Sequence, residues 1–233
     1  MHPDVTSRDS LRSAFTIGRT TGILLLFQLA TALMLPFILS SQVNLASPDF
    51  LPAVAEHSFQ IRLSVFISFI GSALTVFLGI TVFEILRLYS KSAAILFLVV
   101  CVISCILDLV HAGTIMSVLS ISNEFVSPGA KDAGLYEVVG SSVKSARRSA
   151  HAIQLLAIGA WMFVFYFSIL RFRLLPVALA VIGVIGVMLQ FTGVTLMMFL
   201  GYNSIGEMAM PLLPIQITTA VWLIVKGFRT SGT

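Results

Sequence analysis

Asp108 and His111 are the residues of this 233-residue chain whose types and placement most invite chemistry. They stand inside Lys91 to Ser120, KSAAILFLVVCVISCILDLVHAGTIMSVLS, an apolar run long enough to cross a bilayer. A charge at membrane depth costs at least about 2.5–3.5 kcal/mol on insertion scales, so a carboxylate there implies shelter, a partner and a task. On a helix, Cys101, Ser104, Cys105, Asp108 and His111 fall at i, i+3, i+4, i+7 and i+10, which gathers them on one stripe. That stripe must face protein or water. The two cysteines read as small apolar side chains of one helix and not as a disulfide.

Other polar residues fall at similar depth on neighbouring apolar runs. Arg62 lies just inside one end of the second run, His151 and Gln154 at the start of the fourth, Glu207 at the start of the sixth, and His57 on the loop edge before the second. At 1.5 Å per residue, Asp108 and His111 lie roughly 15 and 10 Å below the outer end of their own run. The expectation is an outward-opening polar pocket formed by Arg62, Asp108, His111, Arg148, His151, Gln154 and Glu207.

Three readings of that pocket stand open. In the first, Arg62 or Arg148 neutralises Asp108, His111 hydrogen-bonds locally, and the pair locks the helices of a membrane scaffold together. In the second, Arg62, Arg147 and Arg148 attract the head group of a small amphiphilic, anionic ligand that is bound or translocated while apolar walls hold its tail. In the third, His57, Asp108, His111 and His151, with Glu207 as an alternative carboxylate, are zinc ligands of an intramembrane hydrolase. Asp108-x-x-His111 is a weak metal motif, and no H-E-x-x-H accompanies it. No G-x-S-x-G marks a nucleophilic serine. Binding or translocation is the leading reading, and it calls for no cofactor. The sequence does not decide whether any reaction is catalysed.

The elements that must position these residues are set by composition. Hydrophobic residues make up 58% of the chain and charged residues 10%, with a mean hydropathy of +1.01. Soluble domains carry about 25% charged residues, so this is an integral membrane protein. The net charge of +4 and pI near 9.4 do not point to nucleic acid, because the basic residues stand singly or in pairs at the ends of apolar runs. An all-α, polytopic bundle of six transmembrane helices is expected as one domain over 1–233, with membrane lipids as partners and oligomerisation left open. Its spans are 20–39, 59–86, 93–119, 150–170, 174–200 and 208–225. A loop without Lys or Arg occupies 40–56, and an external loop with an interfacial amphipathic helix, built on Leu135, Val138, Val139 and Val143, lies within 121–149.

Local patterns add detail. Ser64, Ser68 and Ser72, beside Gly71, Thr75 and Gly79, form small-residue ridges that bring the second span against the third, and a short turn at Tyr89 to Ser92 makes the two antiparallel. Glu84 and Arg87 are set to pair at i, i+3. Met197, Met198, Met208 and Met210 read as gap-filling core. Trp222, Lys226 and Arg229 read as an interfacial anchor. Nine Lys and Arg residues (Arg8, Arg12, Arg19, Arg87, Lys91, Arg171, Arg173, Lys226, Arg229) flank one side of the six spans. Four (Lys131, Lys144, Arg147, Arg148) lie on the other. The positive-inside rule then places both termini in the cytoplasm, against the four in the third loop.

Five segments carry a family resemblance: RTTGILLL from Arg19, IRLSVFISFIG opening span two, SAHAIQLLAIG opening span four, LRFRLLPVALAVIGVIG across the fourth loop, and VWLIVKGF at the end. Together they resemble the DUF4386 family of bacterial six-helix membrane proteins. The resemblance implies six helices in a bacterial inner, cytoplasmic membrane. It implies no activity, so no catalytic residue is carried over. A polar residue after the span-two arginine and a histidine opening span four recur in the family; the corresponding positions here are Arg62 and His151. Span three, with Asp108 and His111, matches no family pattern, and its site rests on local physics.

Overall fold

A hairpin of two long helices folded about Ser90 places Asp108. The computed structural model describes residues 4–40, 50–127, 132–202 and 205–229, and among them eight helices and no strand. They are α1 (Asp4–Ser40), α2 (Phe50–Glu56), α3 (Ser58–Leu86), α4 (Lys91–Phe125), α5 (Ala133–Phe172), α6 (Val177–Leu200), α7 (Ile205–Ala209) and α8 (Leu212–Lys226). Six stretches are long and apolar enough to span a membrane: Ala14–Met34, Ser58–Leu86, Lys91–Phe125, Gly134–Phe172, Val177–Leu200 and Gly206–Lys226. This is the all-helical, six-span architecture expected from the sequence.

Helix ends follow local chemistry. The α3–α4 turn is closed by Tyr89 N–H to the Leu86 carbonyl at 3.0 Å and Ser90 N–H to the same oxygen at 2.8 Å. The Glu84–Arg87 pair forms at 2.6 Å. At the end of α5, Arg173 takes the left-handed conformation (φ 53°), while Arg173 N–H bonds the Leu170 carbonyl at 3.3 Å and Leu174 N–H that of Ile169 at 3.0 Å. This is a Schellman cap with arginine where glycine is favoured. Pro176 then precedes α6, and Pro211 and Pro214 sit at the start of α8, where a missing N–H leaves no helical bond unmade.

Several expectations on helix extent change. The 40–56 loop is helical from Phe50, because Phe50, Leu51 and Val54 all have a buried surface to fill; residues 41–49, with Pro48, lie outside the described residues. The 121–149 segment is not a loop with a separate surface helix. The helix α4 runs on to Phe125, and α5 joins the amphipathic stretch to span four without a break, since no Pro or Gly pair interrupts it. Leu135, Val138 and Val139 stay exposed on that extension; Lys131 lies outside the described residues. Met198 and Met210 are 44% and 69% exposed and so are not core.

The packing falls into two compact units that cut the long helices and not a linker. The first comprises 1–29, 74–104 and 155–233; the second comprises 30–73 and 105–154. The first is held by an aromatic and aliphatic core. Trp161, Tyr166, Phe97, Phe165, Leu78 and Ile169 are all less than 2% exposed, with Phe97 and Phe165 ring centroids 5.8 Å apart. Glycines let its backbones approach: a Cβ on Gly183 would collide with the Tyr166 ring, and one on Gly18 would meet Gly227 Cα at 2.6 Å. The Tyr166 hydroxyl shares a hydrogen bond of 3.2 Å with Thr219 Oγ1, tying α5 to α8. Arg229 lies over the Trp222 ring at 5.7 Å.

In the second unit α2 is clasped by α4 and α5. Phe50, Leu51, Val54, Ile61, Ile115, Val118 and Leu119 form one apolar cluster. Gly140 of α5 admits the Leu51 side chain, and Lys144 Nζ sits 4.6 Å from the Phe50 ring centroid. Apart from Ala112 and Ala152, the other buried side chains described in this unit are polar.

Candidate functional site

The polar stripe of α4 faces inward. Asp108 and His111 are 9% and 8% exposed, while Ile106, Leu109 and Val110 on the same turns are 53%, 41% and 51% exposed. That inverted pattern is what a lipid-facing helix shows when its polar side is covered by protein. Ser104 and Cys101, further along the stripe, are buried as well.

Around Asp108 three helices contribute side chains. From α3, Ser72 Oγ donates to Asp108 Oδ2 at 3.1 Å and also lies 2.9 Å from the Ser68 carbonyl. Ser72 and Asp108 are 36 residues apart and stand symmetrically about Ser90, so the hairpin turn itself sets them opposite one another. From α5 comes the Gln154 side chain, which is buried. The Gln154 amide oxygen is 3.0 Å from His151 Nδ1. His151 in turn lies against His111, ring centroids 4.9 Å apart and planes inclined by 34°. Arg147, one turn before His151, is within Coulombic reach of both imidazoles.

The atoms left over are informative. Asp108 Oδ1, His111 Nε2 and Arg147 Nε are buried and lack a hydrogen-bond partner among the described residues. Each unmet buried polar group costs about 1–3 kcal/mol, more when charged. The unmet atoms of the first unit, on Trp161, Gln190, Trp222 and Ser104, all belong to neutral groups.

The structure sorts the sequence candidates sharply. Asp108, His111, His151 and Gln154 come together. Arg62 does not join them: it is exposed and makes no ion pair among the described residues. The reason is register. Arg62 lies ten residues before Ser72, about 15 Å of helix rise from the level of Asp108, beside Ile61 of the apolar cluster. Arg148 is also exposed and unpaired among the described residues; its neighbour Arg147 turns inward instead. Glu207 is exposed, at the start of the sixth span. His57 is spent on the turn between α2 and α3, its Nδ1 3.0 Å from the Ala53 carbonyl. Among the described residues no three His, Cys, Asp or Glu side chains converge as a metal-holding group, so the four-ligand zinc set is not assembled. The small-residue ridge of α3 marks Ser72 as a packing residue; its position opposite Asp108 across the turn is the signal that gives it a polar partner.

A groove of about 360 Å³ runs along α8 in the first unit, lined by Ile217, Thr218, Val221, Trp222, Val225 and Lys226. It has no converging set of ionisable groups.

Six apolar helices, an apolar outer face and a sheltered carboxylate–histidine cluster define a multi-pass membrane protein with an internal polar site. The chain belongs to the DUF4386 family, described as a domain of unknown function, whose model matches residues 20–227, which hold five of the six spans whole and most of the first. No curated protein and no solved structure matches the chain.

Proposed function

We propose that the cluster of Asp108, His111, Arg147, His151 and Gln154 receives the head group of a small anionic amphiphile, which the protein binds or moves across the membrane without chemical change. One observation carries this reading: the unmet buried atoms of the second unit sit on a guanidinium, an imidazole and a carboxyl. Arg147 Nε and His111 Nε2 offer sites for an anionic oxygen, and Asp108 Oδ1 offers an acceptor for a hydroxyl or other donor on the same head group. A phosphoglycerol head group combines both features. The exposed apolar flanks of α4, such as Ile106 and Val110, keep the tail in lipid.

The nine-against-four distribution of basic residues supports a cytoplasmic position for both termini and an outward-facing site. The family resemblance supports a bacterial cytoplasmic membrane. Arg147, which offends the positive-inside rule, then has a use in that site. Native mass spectrometry with dihexanoyl phosphatidylglycerol and dihexanoyl phosphatidylcholine tests the reading. Selective retention of the glycerol lipid, reduced about tenfold or more in Arg147→Gln and unchanged in Arg148→Gln, is expected. Equal retention of both lipids, or equal loss in the two variants, overturns it.

A further inference from the structure

The chain after α8 is folded back and fixed. Gly227, in the left-handed region (φ 69°), donates its N–H to the Leu223 carbonyl at 2.9 Å and turns the backbone out of the helix. No side chain fits there, since a Cβ on Gly227 would meet Phe15 Cα at 2.8 Å. Phe228 is buried, and Arg229 N–H bonds the Leu174 carbonyl at 2.8 Å. That bond fixes the backbone from which the Arg229 guanidinium reaches over the Trp222 ring, 5.7 Å from its centroid.

The same contacts gather other cations. Leu174 follows the exposed Arg171 and Arg173. Phe172 stacks on Tyr89, ring centroids 5.4 Å apart, which brings the exposed Lys91 to this end, and Gly18 packs on Gly227, which brings the exposed Arg19. By sequence the first unit has nine basic residues against four acidic ones, Asp4, Asp9, Glu84 and Glu207. Glu84 is already paired with Arg87, and Glu207 stands at the opposite end of the sixth span. Lys226 and Arg229 make no ion pair among the described residues. This end of the unit is a positive field that an anion would relieve.

The groove along α8 opens at these cations. Ile217, Val221 and Val225, all exposed, repeat every four residues along it, and Lys226 closes the row. From Ile217 to Lys226 the groove follows about 13 Å of helix rise, and no acidic residue lines it.

We infer that the α8 groove holds one acyl chain of a long-chain anionic phospholipid whose phosphate is bound by Lys226 and Arg229. The occupant is a lipid and not a free phosphate, because the two cations stand at the end of an apolar channel that lies within a membrane-spanning helix. It is anionic because both cations lack a counter-charge; a zwitterionic lipid fills the groove equally well but carries its own ammonium to the same place. Arg229 offers phosphate a planar fork of donors and Lys226 a point charge. The site lies wholly in the first unit and does not depend on the head-group reading of the Asp108 cluster.

Trp222 fluorescence tests the inference, because the chain has two tryptophans and the other, Trp161, is buried. Full-length protein is reconstituted in phosphatidylcholine vesicles with rising fractions of phosphatidylglycerol or phosphatidylcholine brominated on the acyl chains, since bromine quenches an indole that it touches. Trp222→Phe supplies the Trp161 background. In the wild type, half-quenching is expected at an about tenfold lower fraction of the brominated glycerol lipid than of the choline lipid. The preference should fall to about parity in Lys226→Gln/Arg229→Gln and persist in Arg62→Gln, which lies in the second unit. Val221→Phe, which fills the groove without touching a charge, should raise the fraction of glycerol lipid required. Equal fractions in the wild type overturn the inference, as does a preference that survives the double variant or is lost in Arg62→Gln. Unchanged quenching in a folded Val221→Phe also overturns it, because the chain is then not in the groove.

Discussion

The two units of this protein solve the same problem with opposite materials. In the first, helices meet through Trp161, Tyr166, Phe97 and Phe165, and its buried polar groups, among them Thr21, Gln190 and Thr219, are all neutral. In the second, the interior divides between the apolar clasp around α2 and a cluster holding Asp108, His111, Gln154 and Ser72. Lipid gives helices no hydrophobic reason to associate, so close packing and hydrogen bonds must hold them. The first unit relies on the packing. The second carries ionisable groups that close packing alone does not require, and that a protein selected for stability would replace. Among the described residues the buried aromatic packing therefore gathers in one unit and the buried carboxyl and imidazole groups in the other.

Substitutions break or sharpen that contrast in a graded way. Trp161→Ala removes the largest fully buried side chain of the first unit and should lower stability by about 3–5 kcal/mol, read as a lower unfolding midpoint in detergent. Gly183→Ala drives a methyl group into the Tyr166 ring; overpacking of this kind costs about 1–3 kcal/mol, and Gly183→Ala/Tyr166→Leu should recover part of the loss. Asp108→Asn keeps an acceptor for Ser72 while removing a buried charge. It should change stability by less than about 1 kcal/mol or raise it; a fall as large as that of Trp161→Ala would make the cluster a structural keystone. A similarly small effect is expected at Arg173, whose left-handed backbone (φ 53°) suits glycine: Arg173→Gly should stabilise by about 1 kcal/mol.

Much of this was legible in the residues. The apolar runs and their flanking charges give six spans, and the i, i+3, i+4 stripe of α4 puts Asp108 and His111 on the sheltered side. The tight turn at Ser90 also fixes which residues of α3 and α4 face each other, and it points to Ser72 and away from Arg62. Charge type drew attention to Arg62, but reach along a helix decides pairing, and 15 Å cannot be crossed by one side chain. The α2 helix was hidden because a seven-residue apolar stretch containing Pro52 has no periodicity to read; only its tertiary clasp makes it helical. Likewise Arg147 and Arg148 are equivalent as letters, and the rotation of α5 alone turns Arg147 inward.

The claim that the second unit serves a ligand is met most directly by His111→Gln, measured for unfolding midpoint and for retention of dihexanoyl phosphatidylglycerol in the same preparation. A ligand site predicts an unfolding midpoint within a few degrees of wild type together with at least a tenfold loss of lipid retention. Unchanged retention with a collapsed midpoint would contradict it and return the cluster to the role of a structural lock.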